Sequence, residues 1–183
     1  MVFDMDAVTA LYTSAAVLLV IAGATKVIRP ANSAALIELL SAFPRRSAAS
    51  TRLTRALGLA EITLGIAALL SDVAAFRVVV GVLYVVFAIA VWRAISVGAE
   101  SCGCFGRVDA PPTWLHVFGN IVLAVCSFGA VAGRSPLEVM EDQPAAGLGF
   151  VAAVGVLAGL ELVVFTALPD ALEARKSARV TGS

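Results

Sequence analysis

Charge is the scarce quantity in this sequence. Only 14% of its 183 residues are Asp, Glu, Lys or Arg, and 60% are hydrophobic. A soluble domain averages about 25% charged and about 45–50% apolar residues. The composition therefore excludes an ordinary soluble domain and reads as a membrane protein. The 13 basic and 13 acidic residues cancel, so no global basic field speaks for nucleic acid. Cysteine is scarcer still. Three cysteines are too few for a disulfide-built scaffold. Cys102 and Cys104 are separated by one residue, not by the two of zinc ribbons and thioredoxins. Positive charge is missing at the start, where Asp4 and Asp6 stand. A secretory signal wants basic residues there, so the first hydrophobic segment is expected to be a retained span.

What the sequence has in abundance is long apolar runs. Five segments stand out, Val8–Ile28, Ala56–Ser71, Ala74–Val97, Trp114–Gly133 and Gly147–Leu168. Most approach the ~20 residues needed to cross a ~30 Å hydrocarbon core. Such segments satisfy their backbone groups only as helices. The expected fold is all-α, a polytopic transmembrane helical bundle of four core helices plus a fifth C-terminal one. The second segment is short and carries Glu61. Pro30 breaks the first helix. Leu36, Ile37, Leu40 and Phe43 recur at helical spacing, which suits a short interfacial helix ending near Pro44. The second and third spans meet in a very short turn at Ser71–Val73. An acidic stretch, "RSPLEVMEDQP", joins the last two.

With the N-terminus outside, eleven of the 13 Lys and Arg residues fall at the cytoplasmic face, leaving Arg77 and Arg134 outside. The positive-inside rule favours that orientation, with the C-terminus cytoplasmic. It places the Cys102–Cys104 loop on the cytoplasmic side. The count of spans also gathers Lys26, Glu61, Arg93, His116, Asn120 and Glu161 in the half of the membrane that holds this loop. Ionisable groups within spans face a bundle interior or a wet cavity and are functional candidates. Lys26 and Glu61 can pair, which would serve packing as well as function. Lys26 and Arg93 can also snorkel to the headgroups. His116 and Asn120, four apart, share a helix face. Cys126 points away from that face and reads as a buried packing residue. The G-x-x-x-G patterns at Gly129/Gly133 and Gly155/Gly159 allow close helix approach.

The stretch "SCGCFGR" at 101–107 carries the chemistry. Gly103 permits a turn that brings the two sulfurs together. A disulfide across so small a ring is readily reduced, as strained or exposed disulfides are. Gly98 and Gly106 leave room for a partner, and Arg107 and Lys26 favour the reactive thiolate. From the residues alone, redox exchange competes with a static disulfide, with metal ligation alongside His116 and with lipidation.

"CGCFG" at 102–106, followed by Trp114 and Asn120, resembles the MauE family of methylamine-utilisation membrane proteins. "GATKVIRP" at 23–30 and "LGLAEITLGIAALL" at 57–70 resemble the first two helices of that family and of its broader DoxX-like relatives. The resemblance divides the chain into a core at 8–133 and a C-terminal part at 134–183, with the acidic loop, the fifth helix and a polar tail. It implies a protein of the cell membrane that works with a thioredoxin-like partner and helps a disulfide-rich extracytoplasmic protein to mature. On this reading Cys102 and Cys104 are the catalytic pair. Lys26, Glu61, Arg93, His116 and Asn120 form a supporting polar pocket that tunes the thiols or holds a small redox molecule such as a quinone. The rival expectations are a non-catalytic anchor subunit within a larger membrane complex and a metal-binding membrane protein.

Overall fold

A computed structural model describes residues 5–30, 33, 48–99 and 112–167. The expected interfacial helix at 36–43, the Cys102–Cys104 loop with Arg107, and the polar tail lie outside the described residues. The described part is built of helices. Its elements are α1 (Met5–Ile28), α2 (Ala48–Leu70), α3 (Ala74–Ser96), α4 (Trp114–Gly129) with a 3-10 turn at Ala130–Ala132, α5 (Pro136–Asp142) and α6 (Pro144–Thr166). Five of these regions are long and apolar enough to cross a membrane: Asp6–Ile28, Ala48–Leu70, Ala74–Ser96, Trp114–Ala132 and Gly147–Thr166. The protein is a multi-pass helical membrane bundle.

The helix ends follow local chemistry. α1 stops two residues before Pro30, because proline disfavours the helical conformation of the residue before it. The segment expected at Ala56–Ser71 begins earlier, at Ala48. Within the added turns the Thr54 hydroxyl donates back to the Ser50 carbonyl at 2.8 Å and so is satisfied inside the helix. The turn after α2 is the expected one, with Val73 N–H donating to Ser71 Oγ at 3.2 Å. α3 ends in a Schellman motif. Gly98 adopts φ +63°, Ala99 N–H donates to Ala94 O at 2.9 Å and Gly98 N–H to Ile95 O at 3.1 Å. Glycine takes that left-handed position without a Cβ penalty, so Gly98 serves to end the helix ahead of the cysteine loop. The acidic connection contains a short helix, α5. Ser135 Oγ accepts from Glu138 N–H at 3.2 Å, Glu138 Oε2 accepts from Ser135 N–H at 2.7 Å, and Pro136 occupies the first turn. This reciprocal cap with an early proline is a strong helix start.

α1 is the central helix. Its span is 61% buried, against 28%, 44%, 39% and 22% for those of α2, α3, α4 and α6. Tyr12, Ala15, Ala16, Leu18 and Leu19 meet Val80, Tyr84 and Phe87 of α3 and Leu123 and Ala124 of α4 in one core. Two tyrosines fasten α1 through their hydroxyls: Tyr12 donates to Ala68 O at 3.1 Å and Tyr84 to Ala15 O at 2.8 Å. Arg77, expected at the outer face, is 4% exposed. It donates to the Val131 and Gly133 carbonyls at 3.3 and 3.1 Å, closing carbonyls of the 3-10 turn after α4 and of its cap residue.

α1 and α2 pack most closely. A Cβ on Gly58 would lie 2.7 Å from Gly23 O and 2.9 Å from Lys26 Cβ, and one on Gly65 would lie 2.8 Å from Ala16 O. Lipid tails supply little hydrophobic drive for helix association, so small residues that bring backbones together matter more there.

Candidate functional site

The close α1–α2 crossing sets the central feature of the site. Lys26 Nζ donates to Glu61 Oε2 at 2.8 Å, and the two side chains are 1% and 0% exposed. The expected pairing is present, and Lys26 does not reach the headgroups. It also lies over the Phe87 ring of α3, 5.5 Å from the centroid. Glu61 is nine residues from the end of α2 at Leu70, or roughly 14 Å at 1.5 Å per residue. Lys26 lies in the last turn of α1, so the pair joins that end of α1 to the middle of α2. Glu61 Oε1 has no hydrogen-bond partner.

A small cavity adjoins Lys26. Its volume is about 20 Å³, and Leu18, Leu19, Ala22, Tyr84, Phe87 and Asn120 complete its lining. That suffices for one water molecule. A small-molecule site needs about 300–1,000 Å³. A quinone ring does not fit there.

His116 and Asn120 share a face as expected, but their polar atoms turn to helix packing. His116 Nδ1 lies 3.2 Å from Thr113 N–H, which donates to it, and 2.8 Å from Thr113 Oγ1. With Nδ1 accepting, the ring proton belongs on Nε2, which donates to Phe165 O of α6 at 2.8 Å. The tautomer follows from these partners. Both ring nitrogens are therefore engaged. Asn120 Nδ2 donates back to His116 O at 2.6 Å. Among the described residues no three His, Cys, Asp or Glu side chains gather as a metal site.

Two expected members lie elsewhere. Arg93 is exposed on α3 and is not part of the buried cluster. Glu161 reaches Ser14 Oγ, near the middle of α1, at 2.9 Å and does not join Lys26. Cys126 is a half-buried free cysteine on α4. Cys102 and Cys104 lie outside the described residues. Their connection runs between the end of α3 and the start of α4, at the end of the bundle where α1 terminates and His116 caps its helix.

Sequence reasoning missed the docking of α6. Phe165 presents its carbonyl to His116 and its ring to Gly119, where a Cβ would lie 2.5 Å from the ring. Gly119→Val is expected to push α6 off the bundle and lower the detergent melting temperature by roughly 2–12 °C, taking about 1–3 kcal/mol for overpacking. Gly155, with open space around its Cβ position, is the control. A Gly155→Val variant should melt like the parent, and equal losses at both positions would refute the contact.

A multi-pass helical bundle with a buried ion pair between its first two spans defines the class of protein. The family model described as methylamine utilisation protein MauE matches residues 5–133, and the chain belongs to that family. No curated protein and no solved structure matches it.

Proposed function

We propose that this protein is a membrane thiol–disulfide relay. Cys102 and Cys104 exchange with a thioredoxin-like protein, in support of the maturation or redox maintenance of another protein. The observation that carries the reading is the Cys-Gly-Cys sequence within the family-matched region, in the connection between two packed membrane helices. In one direction, a thiolate of the pair attacks the partner's disulfide and forms a mixed disulfide. The second thiol then displaces the partner. The pair is oxidised by two electrons, and the partner leaves as a dithiol carrying those electrons and two protons. The reverse direction balances in the same way.

Lys26 and Glu61 hold α1 against α2 in this reading, and His116 and Asn120 set the start of α4. They act as positioning residues for the loop's anchor points. The excess of Lys and Arg at one face supports an orientation with the N-terminus outside and the C-terminus cytoplasmic. Reporter fusions at Ser183 and within Glu138–Gln143 should then report opposite sides. Finding both on one side removes a span.

A second reading has one observation in its favour. The buried polar groups of Lys26, His116 and Asn120 are engaged in contacts within the bundle, as a non-catalytic anchor subunit of a redox complex would need. One experiment separates the two. Cys102→Ser and Cys104→Ser, made singly, should trap a partner on a non-reducing gel, because exchange passes through a mixed disulfide. Mass-shift alkylation should report a reversible pair, with Cys126 unreactive. No mass shift across the physiological redox range, with full activity in the double Ser variant, would overturn the relay and leave the anchor.

A further inference from the structure

Glu161 is a carboxyl within a span that the relay does not use. It stands on α6, outside the residues that the family model matches. Its Oε1 is 2.9 Å from Ser14 Oγ of α1. Ser14 is 0% exposed, and its Oγ is also 2.8 Å from Leu11 O. A serine hydroxyl has one hydrogen to give, whereas a backbone carbonyl can only accept. When Ser14 donates to Leu11 O, a common back-bond for a serine inside a helix, the hydrogen between Ser14 and Glu161 must come from the carboxyl.

The surroundings of Glu161 agree. Its Oε2 is buried and makes no hydrogen bond. Glu61 shows the contrasting case, with its charge met by Lys26 at 2.8 Å. Among the described residues no ion pair reaches Glu161. The titratable groups facing it are Tyr84 on α3 and Cys126 on α4, both within electrostatic reach, and neither can carry positive charge. His116 on α4 gives its Nε2 proton to Phe165 O, one turn further along α6. The acidic α5 meets α6 at its opposite end, at Pro144, roughly 26 Å from Glu161 at 1.5 Å per residue. A carboxylate with one hydrogen bond and no cation is costly in an apolar bundle, and such a group neutralises by taking up a proton.

We propose that Glu161 is a proton-binding site, whose carboxyl holds a proton at Oε1, donates it to Ser14 Oγ and so fastens α6 to α1. Loss of that proton leaves a bare carboxylate facing Tyr84 and Cys126 and removes the hydrogen bond between the two spans. The docking of α6 therefore depends on proton uptake.

Infrared spectroscopy of the full chain in detergent tests the assignment through the C=O stretch of a protonated carboxyl, which is resolved from the carboxylate and amide bands. The band should be present at neutral and mildly acidic pH. It should be lost in Glu161→Gln, kept in Glu141→Gln, an exposed carboxyl on α5, and displaced in Ser14→Ala. Its absence at both pH values, or its survival in Glu161→Gln, would overturn the proposal. An undisplaced band in Ser14→Ala would overturn the donation to Ser14. Glutamine keeps a neutral donor at position 161, so Glu161→Gln should melt like the parent at mildly acidic pH. The folded parent holds one proton more than the unfolded chain, so its folding equilibrium should weaken by up to about tenfold per pH unit as pH rises. Glu161→Gln should lack that part of the slope, and equal slopes in the two proteins would also overturn the proposal.

Discussion

Replacing Glu61 with glutamine is expected to cost about 3–5 kcal/mol, the usual penalty for removing one partner of a buried ion pair. The Lys26 ammonium, 1% exposed, would lose the Glu61 carboxylate 2.8 Å away inside the bundle. Lys26→Met should cost a similar amount, because it leaves Glu61 charged and buried. A surface pair would be worth only about 0–1 kcal/mol, so the size of the loss distinguishes burial from a wet, screened contact. The double variant Lys26→Met/Glu61→Gln should recover part of the loss, since it removes both charges at once. Melting in detergent, run as a double-mutant cycle, measures the coupling. Strictly additive losses would show that the two groups act independently.

That pair is legible in the sequence itself, because Lys and Glu in apolar spans demand partners. The number of spans is legible too, from the length of the apolar runs. The start of α2 is not. Arg52, Arg55, Ser50 and Thr54 lower the apparent hydropathy of its first turns, although the helix continues through them to Ala48. The helix at Pro136–Asp142 has a readable signal in Ser135-x-x-Glu138 with Pro136, but its acidic composition resembles that of a loop.

The site is legible in its residues and only partly in their arrangement. Residue type says that His116 needs partners. It does not say that one of them is the Phe165 carbonyl 49 positions away, because that depends on where α6 docks. Arg77 reads as a charge at the membrane edge, yet it is spent on carbonyls of the turn that follows α4. The glycines show the same limit. In a chain with 15 glycines, spacing alone singles out Gly129/Gly133 and Gly155/Gly159; Gly129 is in ordinary contact with Val8, and Gly155 and Gly159 face open space. Gly23, Gly58 and Gly65 make the close contacts between α1 and α2, and only the packing of those two helices distinguishes them. Local spacing describes one helix, whereas close approach is a property of two.

Gly58→Val is therefore expected to be as damaging as the loss of a buried charge. Its Cβ would lie 2.7 Å from Gly23 O and 2.9 Å from Lys26 Cβ. The first of these is backbone, which cannot rotate away, so α1 and α2 must separate. Overpacking alone costs about 1–3 kcal/mol. Separation would also lengthen the 2.8 Å contact between Lys26 and Glu61, and part of the about 3–5 kcal/mol attached to a broken buried pair should be added. The two contributions can be told apart. In the Lys26→Met/Glu61→Gln background no ion pair is left to stretch, so Gly58→Val should cost only the overpacking share. Melting temperatures of the four proteins in one detergent give the comparison. Equal losses in both backgrounds would mean that the helices part without disturbing the pair. A loss within about 0.5 kcal/mol, typical of surface substitutions, would mean that the α1–α2 crossing is not close at Gly58.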